Sequence, residues 1–270
     1  MSEEEAIDRV DRPLTRGRLT AALRDLGVSP GETLIVHSAM SALGWVCVDA
    51  TTVVDALRAA VTDRGTLVVP THTGQYTDPA AWRSPPIPSE WVETVIEQRP
   101  PFRPGVTPAR GVGAVPECLR TYPGAHRSRH PTVSFAAWGR DAEAVVADHP
   151  YDGGLGAGSP LEAVSERGGR VLLLGVGHDV NTSLHLAEHR ATYPGKTTST
   201  ARVPVVEAGE ERVVELTELD VDTGDFPEVG SAFEAAHGST VGTVGAARAT
   251  LLDQPALVDF ATDWFEGHRG

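Results

Sequence analysis

Residues 169–193 read GRVLLLGVGHDVNTSLHLAEHRATY. An apolar run, Val171 to Leu174, stops at Gly175-Val176-Gly177, and after a short polar turn a helical pattern begins near Asn181. A buried strand, a tight glycine loop and a helix form the unit on which α/β proteins commonly build ligand sites. Along that helix His185, Glu188 and His189 stand three and four residues apart and share one face, while Leu184, Ala187 and Ala191 can face a core. A titratable helix face just beyond a buried strand is a candidate active site.

Upstream, the helical spacing of residues 14–26, the strand Thr33 to His37, a helix from Asp49 or Thr51 to Val61 and the strand Thr66 to Pro70 follow one another with short connections. An α-β-α-β opening of this kind implies a largely parallel sheet. From Thr71 to Gly105 the pattern breaks into a Pro-, Thr- and Trp-rich excursion; an irregular segment of that length is either functional or disordered, and its aromatics and its place at a strand exit favour function. Residues 133–139 (VSFAAWG) read as a further strand, and Ser159-Pro160 opens a helix with proline at its first position. Downstream, 200–205 and 212–216 read as a hairpin, 229–236 as a helix, 242–252 as strand material and 254–265 as a closing helix. Residues 1–13 read as a loose acidic leader.

With 270 residues, 40% hydrophobic and 22% charged, the chain can bury a full core. No apolar run approaches the roughly 18 residues of a membrane span, and the acidic opening MSEEEAIDRVDRP lacks the apolar stretch of a signal peptide. Two widely separated cysteines fit a reducing cytoplasm. A formal charge of −14 disfavours nucleic acid and anionic membranes as partners and favours capture of cations, or simply solubility.

Three constellations could carry chemistry. His185-Leu-Ala-Glu188-His189 has the HxxEH spacing of an inverted zinc peptidase, although a solvated helix face with incidental histidines has the same spacing. A single histidine working with a distant carboxylate is the second, because Glu218, Asp220 and Asp222 point one way if that segment is extended. Such an anionic edge suits a bound cation, or equally a solvated edge strand that resists aggregation. The third is a set of donors suited to phosphates: the loop Ser38 to Ser41, the loop Arg110 to Gly113, and Arg127 with Arg129. Val180 stands where a dinucleotide fingerprint needs its third glycine, and neither a GxxxxGK[ST] nor a GxSxG motif occurs.

Six segments, LIVHSAMSALGWV (34–46), TLVVPTHTGQYTDP (66–79), TPARGVGAVPE (107–117), RSRHPTVSFAAWG (127–139), GLGAGSPLE (154–162) and VLLLGVGHDVNTSLHLAE (171–188), stand in the order found in the aminoglycoside 3-N-acetyltransferases. The chain resembles that antibiotic acetyltransferase family, which is distinct from the GNAT fold. The resemblance covers most of the chain and is loosest in the C-terminal third. It implies an acetyl-CoA-dependent enzyme of antibiotic resistance, acting without a metal on the 3-amino group of a polycationic 2-deoxystreptamine aminoglycoside. It carries the family's catalytic histidine onto His185, in Thr182-Ser183-Leu184-His185-Leu186-Ala187-Glu188, and its carboxylate partner onto Glu218. Asp220, with Gln75 and Asp78 after the VVPTHT strand, is carried over to substrate binding. Ser38, Ala39, Met40, Ser41, Arg110, Gly111, Val112 and Gly113 match positions lining the CoA tunnel, and Thr182 and Ser183, from their place at the helix start, are candidate donors to the thioester oxygen or pantetheine.

Taken together, the expectation is one α/β domain over 1–270: a three-layer α/β/α fold with a mixed, largely parallel central sheet and an irregular substrate-side excursion. Residues 71–105 and 196–235 are its substrate-side elements. A same-fold acyltransferase acting on another amine, a zinc hydrolase and a non-catalytic aminoglycoside-binding module are the alternatives.

Overall fold

The computed structural model describes residues 2–83 and 85–270. Nine strands are formed among the described residues: β1 Thr33–Ser38, β2 Thr66–Pro70, β3 Ala125–Arg127, β4 Phe135–Gly139, β5 Arg170–Leu174, β6 Thr198–Glu207, β7 Glu210–Leu219, β8 Thr240–Val244 and β9 Ala247–Asp253. Seven of them make one sheet in the order β3-β4-β2-β1-β5-β9-β8, and β6 and β7 form a separate hairpin.

The uninterrupted apolar runs of β1, β2 and β5 are what strands covered on both faces require. Their side chains alternate accordingly. Leu34, Val36, Leu67, Val69, Leu172 and Leu174 join the core beneath the helices Arg16–Asp25, Ala50–Val61 and Ala114–Arg120. Ile35, Val68, Val171 and Leu173 join the core on the opposite face, beneath Pro160–Glu166, Ser183–Arg190, Phe226–His237 and Gln254–His268. Each such fully buried side chain contributes about 1.5–3 kcal/mol by leaving water. The result is the expected α/β/α sandwich.

The sheet is mixed, and its parallel part is narrower than the α-β-α-β opening suggests. β1 pairs in parallel with β2 and β5, while β4 joins β2, and β9 joins β5, antiparallel. The outer strands arrive as the close pairs β3–β4 and β8–β9, and a short connection permits only antiparallel pairing. Residues 242–252 accordingly divide into two strands around a turn.

The opening residues also differ from the loose leader expected of them. Glu3–Asp8 is a helix whose Ser2 and Glu5 form a reciprocal capping box, and Glu3 Oε1 accepts a hydrogen bond from Trp45 Nε1 at 3.0 Å. The excursion after β2 is anchored to the β6–β7 hairpin. Phe102 exchanges backbone hydrogen bonds with Pro204 and Val206, and Tyr76, Phe102, Val203, Val205, Val214 and Leu216 form a third apolar cluster. None of the helices among the described residues is long and apolar enough to cross a membrane.

Candidate active site

In a parallel sheet, ligand sites form beyond the carboxyl ends of the strands. The three parallel strands end here in Ser38, Pro70 and Leu174, and a cavity of about 580 Å³ opens beyond them. Its walls come from His37 to Ser41 after β1, Pro70 and His72 after β2, Gly111 to Ala114, and Val176, Asp179, Val180, Thr182 and His185 after β5. The tight turn out of β5 depends on Gly175, which has φ +72°, and a Cβ on it would lie 2.3 Å from Ala42 Cβ.

His185 reaches the cavity from the helix Ser183–Arg190. This helix is buried along nearly its whole length, Ser183 to Glu188, so the solvated-face reading of 185–189 does not hold. His185 Nδ1 lies 2.5 Å from Glu188 Oε2, and Glu188 is fully buried. Burial alone would raise the Glu188 pKa, but hydrogen bonds from His185, Arg269 and the Asp222 amide outweigh it and hold the carboxyl below its usual value. An ionised carboxylate only accepts, so Nδ1 carries a proton, and Nε2 is the nitrogen turned away from Glu188 that can act as a base when the ring is neutral.

Glu218 is not in contact with His185. Its Oε1 lies 2.9 Å from His130 Nε2, and it also accepts from the Gly154 amide. His130 is wholly buried, and its Nδ1 accepts from the backbone N–H groups of Thr132 and Val133, so Nε2 carries the proton that Glu218 receives. The pair ties β7 to the loops around 130 and 154. Strand β7 ends at Leu219, so Glu218, Asp220 and Asp222 do not form one extended edge.

The remaining expected site residues divide. Ser38, Ala39, Met40, Ser41, Gly111, Val112, Gly113 and Thr182 line the cavity. Ser38 Oγ is buried there without a hydrogen-bond partner, and Gly111, at φ +82°, has open space beside it. Arg110 is outside the cavity wall: its amide donates to His72 O and its guanidinium stacks over Trp82. Ser183 faces the core, where its Oγ accepts from Gln254 Nε2 at 3.1 Å. Gln75 Nε2 donates to Pro108 O, and Asp78 caps the turn Pro79–Ala81 through the Ala80 amide. Asp220 accepts from Thr197 Oγ1 and lines a second cavity of about 550 Å³ with Asp222, Asp225 and Arg269. Arg127 is spent on Thr71, Ser134, Pro104 and Thr107, which removes it as a phosphate ligand.

Three further groups escaped the sequence reading. His37 and His72 stand at the ends of β1 and β2 and line the cavity; burial, reinforced by the nearby His185, lowers both pKa values to about 3, so both are neutral. Their only sequence signal is a polar residue closing an apolar run. Arg269, which contacts Glu188 from 81 residues away, had none. Among the described residues, no group of three His, Cys, Asp or Glu side chains is arranged to hold a metal ion, so the zinc reading of 185–189 has no geometric support.

The family model for aminoglycoside 3-N-acetyltransferases matches residues 35–266, and the chain belongs to that family. Its members are acetyl-CoA-dependent N-acyltransferases, and this is the enzyme class of the chain. It is 40% identical over 94% of its length, and 93% of the relative's, to the SPbeta prophage-derived aminoglycoside N(3')-acetyltransferase-like protein YokD of Bacillus subtilis (strain 168). The crystal structure of YokD superimposes with a TM-score of 0.93 at 38% identity, covering 98% of both chains. The aminoglycoside N(3)-acetyltransferase VIII of Streptomyces fradiae is 38% identical over 100% of this chain and 98% of that one. The structure of AAC-IIIb with CoASH matches with a TM-score of 0.85 at 35% identity, over 96% of this chain and 98% of the other.

Proposed function

We propose that the domain spanning 1–270 transfers the acetyl group of acetyl-CoA to the 3-amino group of a 2-deoxystreptamine aminoglycoside, with His185 as general base and Glu188 as the carboxylate that fixes its tautomer. One observation carries the assignment of roles: a histidine on the cavity wall whose Nδ1 is held at 2.5 Å by a fully buried carboxylate. An ammonium has no lone pair, so attack on a thioester requires a base to take its proton. His185 Nε2 accepts that proton as the amine nitrogen bonds to the acetyl carbonyl carbon, and the ionised Glu188 stabilises the imidazolium that forms. Collapse of the tetrahedral adduct breaks the C–S bond, the imidazolium returns its proton to the departing thiolate, and the nitrogen sheds its second proton to solvent. The products are the acetamide and CoASH, with no covalent enzyme intermediate.

The cavity suits the pantetheine arm of acetyl-CoA, which brings amide groups needing partners. Ser38 Oγ, buried and unpartnered, and the glycine-rich turn Gly111–Gly113 supply them. Thr182 Oγ1, 3.3 Å from His37 Nε2, is the hydroxyl near His185 suited to the thioester oxygen. Asp220 and Asp222, with a net charge of −14, favour a polycationic substrate over nucleic acid or an anionic membrane. Dependence on acetyl-CoA makes the cytoplasm the expected compartment.

CoA release with acetyl-CoA and a panel of aminoglycosides, with and without a free 3-amino group, tests the reaction. Turnover is expected only with the free amine and should be nearly abolished in a folded His185→Ala variant. Turnover independent of the 3-amino group would overturn the regiochemistry, and an active His185→Ala would remove the base.

A further inference from the structure

Arg269 follows the helix Gln254–His268, and every N–H of its guanidinium is spent on this one region. Nη1 donates to Glu188 Oε1 at 2.6 Å and to Tyr193 Oη at 3.2 Å. Nε and one Nη2 hydrogen grip both oxygens of Asp225, at 2.7 and 2.6 Å, and the other reaches Asp222 O at 2.7 Å. The group is packed 4.0 Å from the centre of the Phe265 ring. Glu188 therefore has a histidine on one oxygen and an arginine on the other.

We propose that Arg269 is a positioning residue for the acetyl transfer, which sets the proton affinity of the His185–Glu188 dyad and holds Glu188 in the orientation that fixes the His185 tautomer. The inference rests on the base assignment made above. A buried carboxylate paired with histidine alone favours the imidazolium, which is useless as a base near neutral pH. A guanidinium on the second carboxylate oxygen opposes that, because its positive charge disfavours another proton anywhere in the dyad. The fork also orients the carboxylate in a way a single point charge cannot.

Other charged groups face the dyad as well. His37 and His72 approach from the cavity side and are neutral. His189, on the same helix, is pushed below its usual value mainly by burial. Lys196 lies near Glu188 but donates to the carbonyls of His189 and Ala191. Asp225 and the phenol of Tyr193 are hydrogen-bonded to Arg269. Arg269 is thus the cation hydrogen-bonded to Glu188 itself.

Arg269→Gln and Arg269→Lys test the proposal through the pH profile of kcat/KM for acetyl-CoA and an accepted aminoglycoside. Removing the positive charge raises the proton affinity of the dyad, so the acidic limb should move up by about one pH unit in Arg269→Gln. Most of the lost rate should return on the high-pH plateau, with KM for acetyl-CoA little changed. Arg269→Lys keeps the charge and should keep the limb in place while lowering kcat at all pH values. The titration of the His185 ring nitrogens, followed by 15N NMR, should move with the limb. An unmoved limb and titration in Arg269→Gln, or identical behaviour of the two variants, would overturn the proposal. If Arg269→Gln fails to fold, Arg269→Gln with Asp225→Asn, compared with Asp225→Asn alone, carries the same test, because both members of this partly buried ion pair are neutralised together. Glu188→Gln separates the two readings. Full activity in that variant would end the dyad assignment itself, whereas an inactive Glu188→Gln with an unmoved limb in Arg269→Gln would end only the role of Arg269.

Discussion

His185 and Glu188 are in contact within a single helical turn, with Nδ1 and Oε2 2.5 Å apart, and the carboxylate is completely shielded from water. Residues three apart on a helix are natural neighbours, so the same local geometry that places the histidine on the cavity wall also supplies its carboxylate. A second histidine–carboxylate pair, His130 with Glu218, holds the β6–β7 hairpin to the body of the protein.

The two pairs should respond differently to the same change. Glu188→Gln leaves a hydrogen-bonding partner for His185 but removes the charge that stabilises its imidazolium, and kcat should fall by about 10²–10⁴-fold. Glu218→Gln should keep most of its turnover. Steady-state rates of CoA release compare them, and a greater loss in Glu218→Gln would reverse the assignment.

Loss of the His130–Glu218 contact should appear as looseness of the hairpin. Glu218→Ala leaves the wholly buried His130 Nε2 with the Tyr151 carbonyl as its remaining partner and frees the Gly154 amide, at a cost of about 1–3 kcal/mol. Hydrogen exchange should accelerate across residues 198–219, with the central sheet unchanged. Equal protection of the hairpin in the two proteins would show that the pair does not anchor it.

Acid should destabilise the protein well above the carboxylate range. His37 and His149 are both buried, and burial lowers each pKa to about 3 in the folded state. Below about pH 6.5 the unfolded chain binds protons that the folded one does not. Stability is therefore complete above that pH and falls as pH drops from about 6.5 toward about 3, by up to about 3 kcal/mol per unit for the two together. Denaturant midpoints between pH 7 and 5 measure this, and a flat profile would contradict neutral burial.

The turn after β5 should tolerate no side chain. Gly175→Ala places a Cβ at φ +72° and 2.3 Å from Ala42 Cβ, and the combined strain and overlap should cost about 2 kcal/mol or more. Thermal melting should show a clear drop, and activity should suffer because the same turn leads into Val176 to Thr182. An unchanged melting temperature would show that the turn relaxes freely.

Much of this molecule can be read from residue order alone. Apolar runs such as VLLL at 171–174 must be buried on both faces, and the strand–glycine–helix pattern around them places His185 on the helix that follows a buried strand. The six motif segments add the family and the cavity wall from Ser38 to Ser41 and Gly111 to Gly113. Periodicity and motif order are local properties, so they survive without coordinates. The pairing of charges does not. Glu188 and Glu218 were both within reach of the sequence reading, but which of them meets His185 depends on a helix turn, on the docking of β7 against His130, and on an arginine 81 residues away. The strength of a buried carboxylate's interactions is set by which donors reach it once water has been excluded, and only the tertiary structure decides that.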